Sequence, residues 1–162
     1  METYNHFTYG ESLAKQLIPI SHTLAKPRHF TAFGLEALYN LDDKLSSVTG
    51  MILISVDGYE SDSKDNGADQ LTDKRIYSFI VAKNTTSDNP KTLNTAVEDC
   101  RSVAKQIRNK MLLNSPISDI IDRDTQINGI GPIGDNFYGV VLTLTVNEPE
   151  IFSVDDTYWQ EV

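Results

Sequence analysis

The chain has one cysteine, one tryptophan, three histidines and only short apolar runs among its 162 residues. A lone Cys100 closes no internal disulfide, so no covalent staple holds the fold. The apolar stretches, MILISV among the longest, fall far short of the roughly 20 residues that a membrane-spanning helix needs. The opening residues METYNHFTYGESLAKQ have neither the basic start nor the apolar run of a secretory leader, so the expected compartment is cytosolic. Cations are also scarce, with 14 Lys and Arg against 23 Asp and Glu, a formal charge of −9 and a pI near 4.7. Affinity for a phosphate backbone comes mainly from Lys and Arg displacing counterions, which disfavours a sequence-reading nucleic-acid binder. An acidic surface suits solubility first, and also a wall that DNA slides past without sticking.

What the chain does have is the composition of a folded domain. Hydrophobic residues make up 40% and charged residues 23%, well away from the composition of disordered chains. The length fits a single core, and no repeat, low-complexity tract or linker interrupts it. The reading is one α+β domain over 1–162, with a helical N-terminal segment at 1–48 and an acidic C-terminal tail at 148–162.

Leu13, Leu17, Ile20 and Leu24 recur at helical spacing within 11–24, where Pro19 should kink or end the helix. Residues 35–45 place Leu35, Leu38, Leu41 and Leu45 on one helical face. Residues 51–56 read as a strand and 76–82 as its partner, apolar on both faces and therefore central. Between them run nearly twenty polar residues, DGYESDSKDNGADQLTDKR, expected to form a long exposed loop.

The clearest element is a helix from Pro90 to Leu113, with Leu93, Val97, Cys100, Ala104, Ile107 and Met111 in one apolar stripe. Asn89 can cap it, Pro90 suits its first turn, and Asn114 with Pro116 ends it. Residues 120–127 read as a polar edge strand. Residues 138–146 read as a half-buried strand with Val140, Leu142, Leu144 and Val146 on one face. The helix stripe has the length to cover that face. The expected fold is therefore α+β, a mostly antiparallel sheet of about four strands packed against a long amphipathic helix, with an N-terminal helical segment.

Chemistry-bearing motifs are weak. Gly129, Gly131 and Gly134 have dinucleotide-loop spacing, but Pro132 lies inside the motif and a strand follows it, so a hairpin connection is expected. Asp62, Asn66, Gly67 and Asp73 resemble part of a calcium loop, yet Lys64 occupies a ligand position and no helix pair flanks it. His6, His22 and His29 lack ligand-type partners at metal spacing and are assigned surface or capping roles. Cys100 lies on the apolar stripe as a core thiol. No nucleophile elbow is present. No catalytic, metal or cofactor-binding residues are assigned, and no cofactor is expected. Tyr4, Phe7, Tyr9, Phe30, Phe33 and Tyr39 are assigned to the core, whereas Tyr158 and Trp159 have little chain left to bury them and read as interface anchors.

The segments MILISV, DKRIYSFIVAKN, TAVEDCRSVAKQIRNKML and GDNFYGVVLTLTV, within 50–147, have an order and texture that resembles the tail-terminator and head–tail joining proteins of tailed bacteriophages. Two departures stand out: a longer helical segment before Met51, and an acidic tail after Pro149.

The resemblance implies a structural virion protein, assembled in the host cytoplasm, that forms a homo-oligomeric ring, hexameric or dodecameric. Its neighbours would be other neck or tail proteins and the portal complex. DNA would pass through an acidic lumen without specific binding, and no membrane is involved. The expected contact residues are Glu60, Asp62, Asp65, Asp69 and Asp73 of the polar loop, reaching a neighbour or facing the channel, together with Tyr158 and Trp159. The alternative is a cytosolic α+β enzyme or small-molecule binding domain. A regulator imitating DNA through its negative surface is a further rival.

Overall fold

Asn5 begins the ordered helical structure, because its side-chain oxygen accepts the Thr8 amide at 2.9 Å and caps α1 (His6–Gln16). The computed structural model describes residues 4–68, 70–86, 88–150 and 152–160. Helix α1 ends before Pro19, so the helix expected at 11–24 lies closer to the N-terminus. Leu13 and Ile20 are buried, while Ile18 and Leu24 point into water.

The chain continues as β1 (His29–Ala32), a 3-10 helix at Leu35–Leu41, the single turn α2 (Asp42–Leu45), β2 (Met51–Asp65) and β3 (Leu71–Asn84). Then follow α3 (Pro90–Leu113), a 3-10 turn at Ile117–Asp119, β4 (Gln126–Ile133), β5 (Phe137–Glu150) and a last 3-10 turn at Asp156–Tyr158. The strands form one sheet of five in the order β1-β2-β3-β5-β4. Only the β1–β2 pair is parallel. The fold is α+β, with five strands rather than about four.

The additional strand is β1, inside the segment expected to be wholly helical. Four residues with no alternation of their own gain strand geometry by pairing with the apolar strand β2. The helix expected at 35–45 splits into a 3-10 stretch and one α turn. It starts at Gly34 without a side-chain cap, and so short a segment does not sustain an α-helix alone. Leu41 and Leu45 are nevertheless buried on the intended face.

The largest correction concerns 57–75. Strand β2 runs on to Asp65 and β3 begins at Leu71, so the expected loop is a long hairpin arm. Pairing satisfies its backbone: β3 is flanked by β2 on one side and by β5 on the other, out to Leu71 opposite Glu150. The arm needs no apolar face of its own. Between Asp57 and Glu60 two extra residues, Gly58 and Tyr59, bulge β2, with Tyr59 at a φ of 53°.

Strand β3 is central, as its two apolar faces require. On one face, Phe79, Val81, Leu142 and Leu144 lie beneath α1 and α3 in a core with Cys100, Ala104, Ile107 and Met111. The α3 stripe thus covers the Val140–Val146 face. On the other face, Ile52, Ile54, Ile80 and Val141 pack with Leu41, Leu45 and Phe137. Helix α3 has the expected bounds and cap, Asn89 accepting the Lys91 amide at 3.1 Å. The edge strand expected at 120–127 is shifted to β4, since the chain leaving the 3-10 turn at Asp119 makes only an isolated bridge from Ile121 to Val146 before Gln126. Gly129 and Gly131 lie in β4 and Gly134 in the connection to β5, so the glycine motif is part of a hairpin.

Candidate interaction surface

The register of the arm sorts its acids onto two faces. Successive side chains of a strand alternate, and beyond the bulge Glu60 pairs with Ile76, Asp62 with Lys74 and Lys64 with Thr72. On that face the carboxylates of Glu60 and Asp62 are balanced by Lys64 and Lys74. The opposite face, continuous with the α1 and α3 side of the sheet, carries Asp65, Asp73, Glu148 and Glu150 against Arg75 alone. Arg75 lies 3.9 Å from Asp73, and Ser63 donates to Glu150 at 2.8 Å. The acidity of the arm is therefore one-sided. Asp69 lies outside the described residues.

The C-terminal segment leaves the sheet at the far end of this arm, because Glu150 is opposite Leu71. Every described residue from 152 to 160 is exposed, with Tyr158 at 85% and Trp159 at 72% exposure. Asp155 accepts both the amide and the hydroxyl of Thr157, at 2.9 and 2.6 Å, and so caps the turn that displays them. These two bonds hold the Asp155 carboxyl below its usual pKa. The arm acids and the tail aromatics thus originate at one end of the sheet as two separate groups.

Sequence reasoning missed two further features. Phe33 is 67% exposed and Tyr59 57%; their rings stack with centroids 5.5 Å apart, and Phe7 meets Phe33 edge-on at 6.0 Å. Phe33 and Tyr39, assigned to the core, lie on the surface, because the 3-10 segment is too short to fold them under the sheet. Tyr4, Tyr9 and Phe30 do pack against the core. The bulge that flips Tyr59 outward has no local sequence signature except Gly58. The second feature is an open cleft of about 530 Å³ between the end of α3 and the start of β4, lined by Arg108, Asn109, Leu112 and residues 123–126.

The histidines differ from expectation. His6, 3% exposed, lies between Tyr77 and Phe79. Its Nε2 donates to the Ser78 carbonyl at 2.8 Å, and its Nδ1 accepts from the Tyr4 hydroxyl at 2.9 Å. Burial pushes its pKa down to about 4. His22 keeps a capping role, its Nδ1 accepting the Arg28 and His29 amides.

His29 bonds Ser55 at 2.9 Å, a hydroxyl–imidazole pair of the type that activates nucleophiles. Ser55 has no exposed surface, and a methyl group added at Gly10 of α1 would overlap its hydroxyl. Ser55 is sealed under α1, while its partner His29 is half-buried. Burial pushes His29 down to about 4 and Cys100 up to about 12. Among the described residues no three His, Cys, Asp or Glu side chains are grouped to hold a metal, and no helix is long and apolar enough to cross a membrane.

No protein-family model matches the chain, and no curated protein matches it in sequence.

Proposed function

We propose that this chain is a structural subunit of a bacteriophage virion, assembling with copies of itself into a hexameric or dodecameric ring at the head–tail junction or tail end. The observation that carries this reading is the placement of exposed groups. A two-faced charged arm and a segment with exposed Phe152, Tyr158 and Trp159 project from one end of a sheet whose outer strands, β1 and β4, have a neighbour on one side only. Solvent-facing aromatics of this kind are typical of interface anchors, and open sheet edges are templates for lateral contacts.

A closed ring requires one patch to meet a different patch on the next copy, and the exposed aromatics of the tail supply one such patch. The acidic face bearing Asp65, Asp73, Glu148 and Glu150 would line the lumen, where repulsion keeps passing DNA hydrated and mobile. The full burial of Ser55 beneath α1 favours this role over a hydrolytic one. Neck and tail proteins and the portal complex would be the neighbours above and below.

Negative-stain imaging of the purified chain, with sedimentation velocity over a concentration series, tests this reading. Rings around a central hole are expected. A monomer at every concentration, with and without candidate neck proteins, would overturn it.

A further inference from the structure

The cleft between α3 and β4 is a local exception to the charge of this protein. Arg108, Asn109 and Leu112 of α3 line it together with Arg123 and Asp124 from the segment before β4. Arg108 directs Nε and one terminal nitrogen to the Asn109 side-chain oxygen, at 3.2 and 3.0 Å. Neither guanidinium has an ion-pair partner among the described residues. In a chain of net charge −9, two arginines against the single carboxylate of Asp124, beside a leucine, leave the cleft with a positive balance, a site for an acidic, partly apolar ligand.

The chain itself carries a segment of that chemistry. Asp156 opens the 3-10 turn Asp156–Tyr158 and Trp159 is its C-cap, so a carboxylate and an exposed indole lie three residues apart across one turn. Asp155 is occupied by capping Thr157, while the Asp156 carbonyl accepts the Trp159 amide at 3.2 Å and its carboxylate makes no hydrogen bond or ion pair among the described residues. The segment thus offers a free carboxylate next to an indole, and the cleft offers guanidinium groups next to a leucine. Arg bonds carboxylates in bidentate fashion and packs on the indole face. Within one chain the two are apart: the tail leaves β5 at Glu150, whereas the cleft adjoins Gln126, opposite Thr143 on the same strand.

We infer that the C-terminal segment Phe152–Trp159 of one copy docks in the Arg108–Arg123 cleft of the next. The proposal rests on the self-assembly reading and supplies its head-to-tail contact, tail on one side and cleft on the other. A contact of this type repeats around a ring without being self-complementary. The occupant is a second copy of this chain, chosen by charge complementarity and by the unburied aromatics of the segment.

Trp159 is the only tryptophan, so its emission reports docking directly. Sedimentation velocity and tryptophan emission are followed over the same concentration series for the full chain, Arg123→Asp, Asp156→Arg and the double exchange. The full chain should show an emission shift to the blue that rises with assembly. Each single reversal should weaken association at least about tenfold, and the double exchange should restore it. Both positions are exposed, and circular dichroism checks that each variant folds. Assembly without an emission shift would overturn the tail contact and leave the ring reading standing. A blue shift independent of concentration would mean docking within one chain and overturn it as well. Absence of both assembly and shift would overturn the two together.

Discussion

Acid should loosen α1 from the sheet through His6. The imidazole is buried between Tyr77 and Phe79 with both nitrogens bonded, and burial lowers its pKa from 6.5 to about 4. The folded state therefore takes up its proton later than the unfolded state does. The stability linked to this group is complete above pH 6.5, falls as pH drops toward 4, and is lost below that. At about 1.4 kcal/mol per pH unit, a displacement of this size is worth about 3 kcal/mol in full. Between about pH 7.5 and about pH 4.5 roughly 2.5 kcal/mol of it should be lost. His29, also lowered to about 4 by burial and by His22, adds to the loss in the same direction.

Carboxylates titrate in the lower part of that range, so the measurement is a difference. Urea unfolding of the native chain and of His6→Phe is followed by circular dichroism at a series of pH values. Phenylalanine suits the aromatic surroundings and does not titrate, though it leaves the Ser78 carbonyl without its partner. Whatever its baseline stability, its curve should be flatter than that of the native chain by about 2.5 kcal/mol across the range. Parallel curves would show that His6 is not held neutral by the fold, and the account of the α1 seam would be wrong.

Three further outcomes follow from the packing. Ile107→Ala removes a fully buried side chain facing the β5 surface and should cost about 3 kcal/mol in urea unfolding, against less than about 0.5 for exposed Lys105→Ala. A methyl group at Gly139 would overlap the Val81 carbonyl, while Gly129 has nothing within 4 Å. In thermal melts Gly139→Ala should therefore lose more than about 2 kcal/mol, and Gly129→Ala little; equal effects would contradict the β3–β5 register. Cys100, fully buried with a thiol pushed up to about 12, should react with a thiol reagent only as fast as the protein opens, and prompt labelling of the native chain would refute its placement.

The elements legible in the sequence were those with a period of their own. Helix α3 announces itself by its stripe, by Asn89 and Pro90 at one end and Asn114 at the other, and β3 and β5 by β-branched runs that the core demands. Strand β1 has no such period, since four residues become a strand only because β2 lies alongside them. The hairpin arm has the look of a loop in the sequence because a strand solvated on both faces carries no hydrophobic alternation. One local signal was present: Asn66-Gly67 is a strong hairpin-turn dipeptide, and Gly67 indeed takes a φ of 76° with its amide on Asp65. The charge pattern of the arm was hidden for a different reason. Which acids share a face depends on the bulge at Gly58 and Tyr59, which no periodicity reveals.

The place of β5 between β3 and β4 has a consequence for how the chain reaches this structure during synthesis. Strand β3 meets β2 across a short turn, but its other neighbour arrives only after the whole of α3 and β4 has been made. Until then the emerging hairpin carries a bare strand edge, and the long helix has half its floor missing. Such high contact order slows folding and leaves nascent edges open to wrong partners. Productive folding therefore awaits release of the final strand from the ribosome.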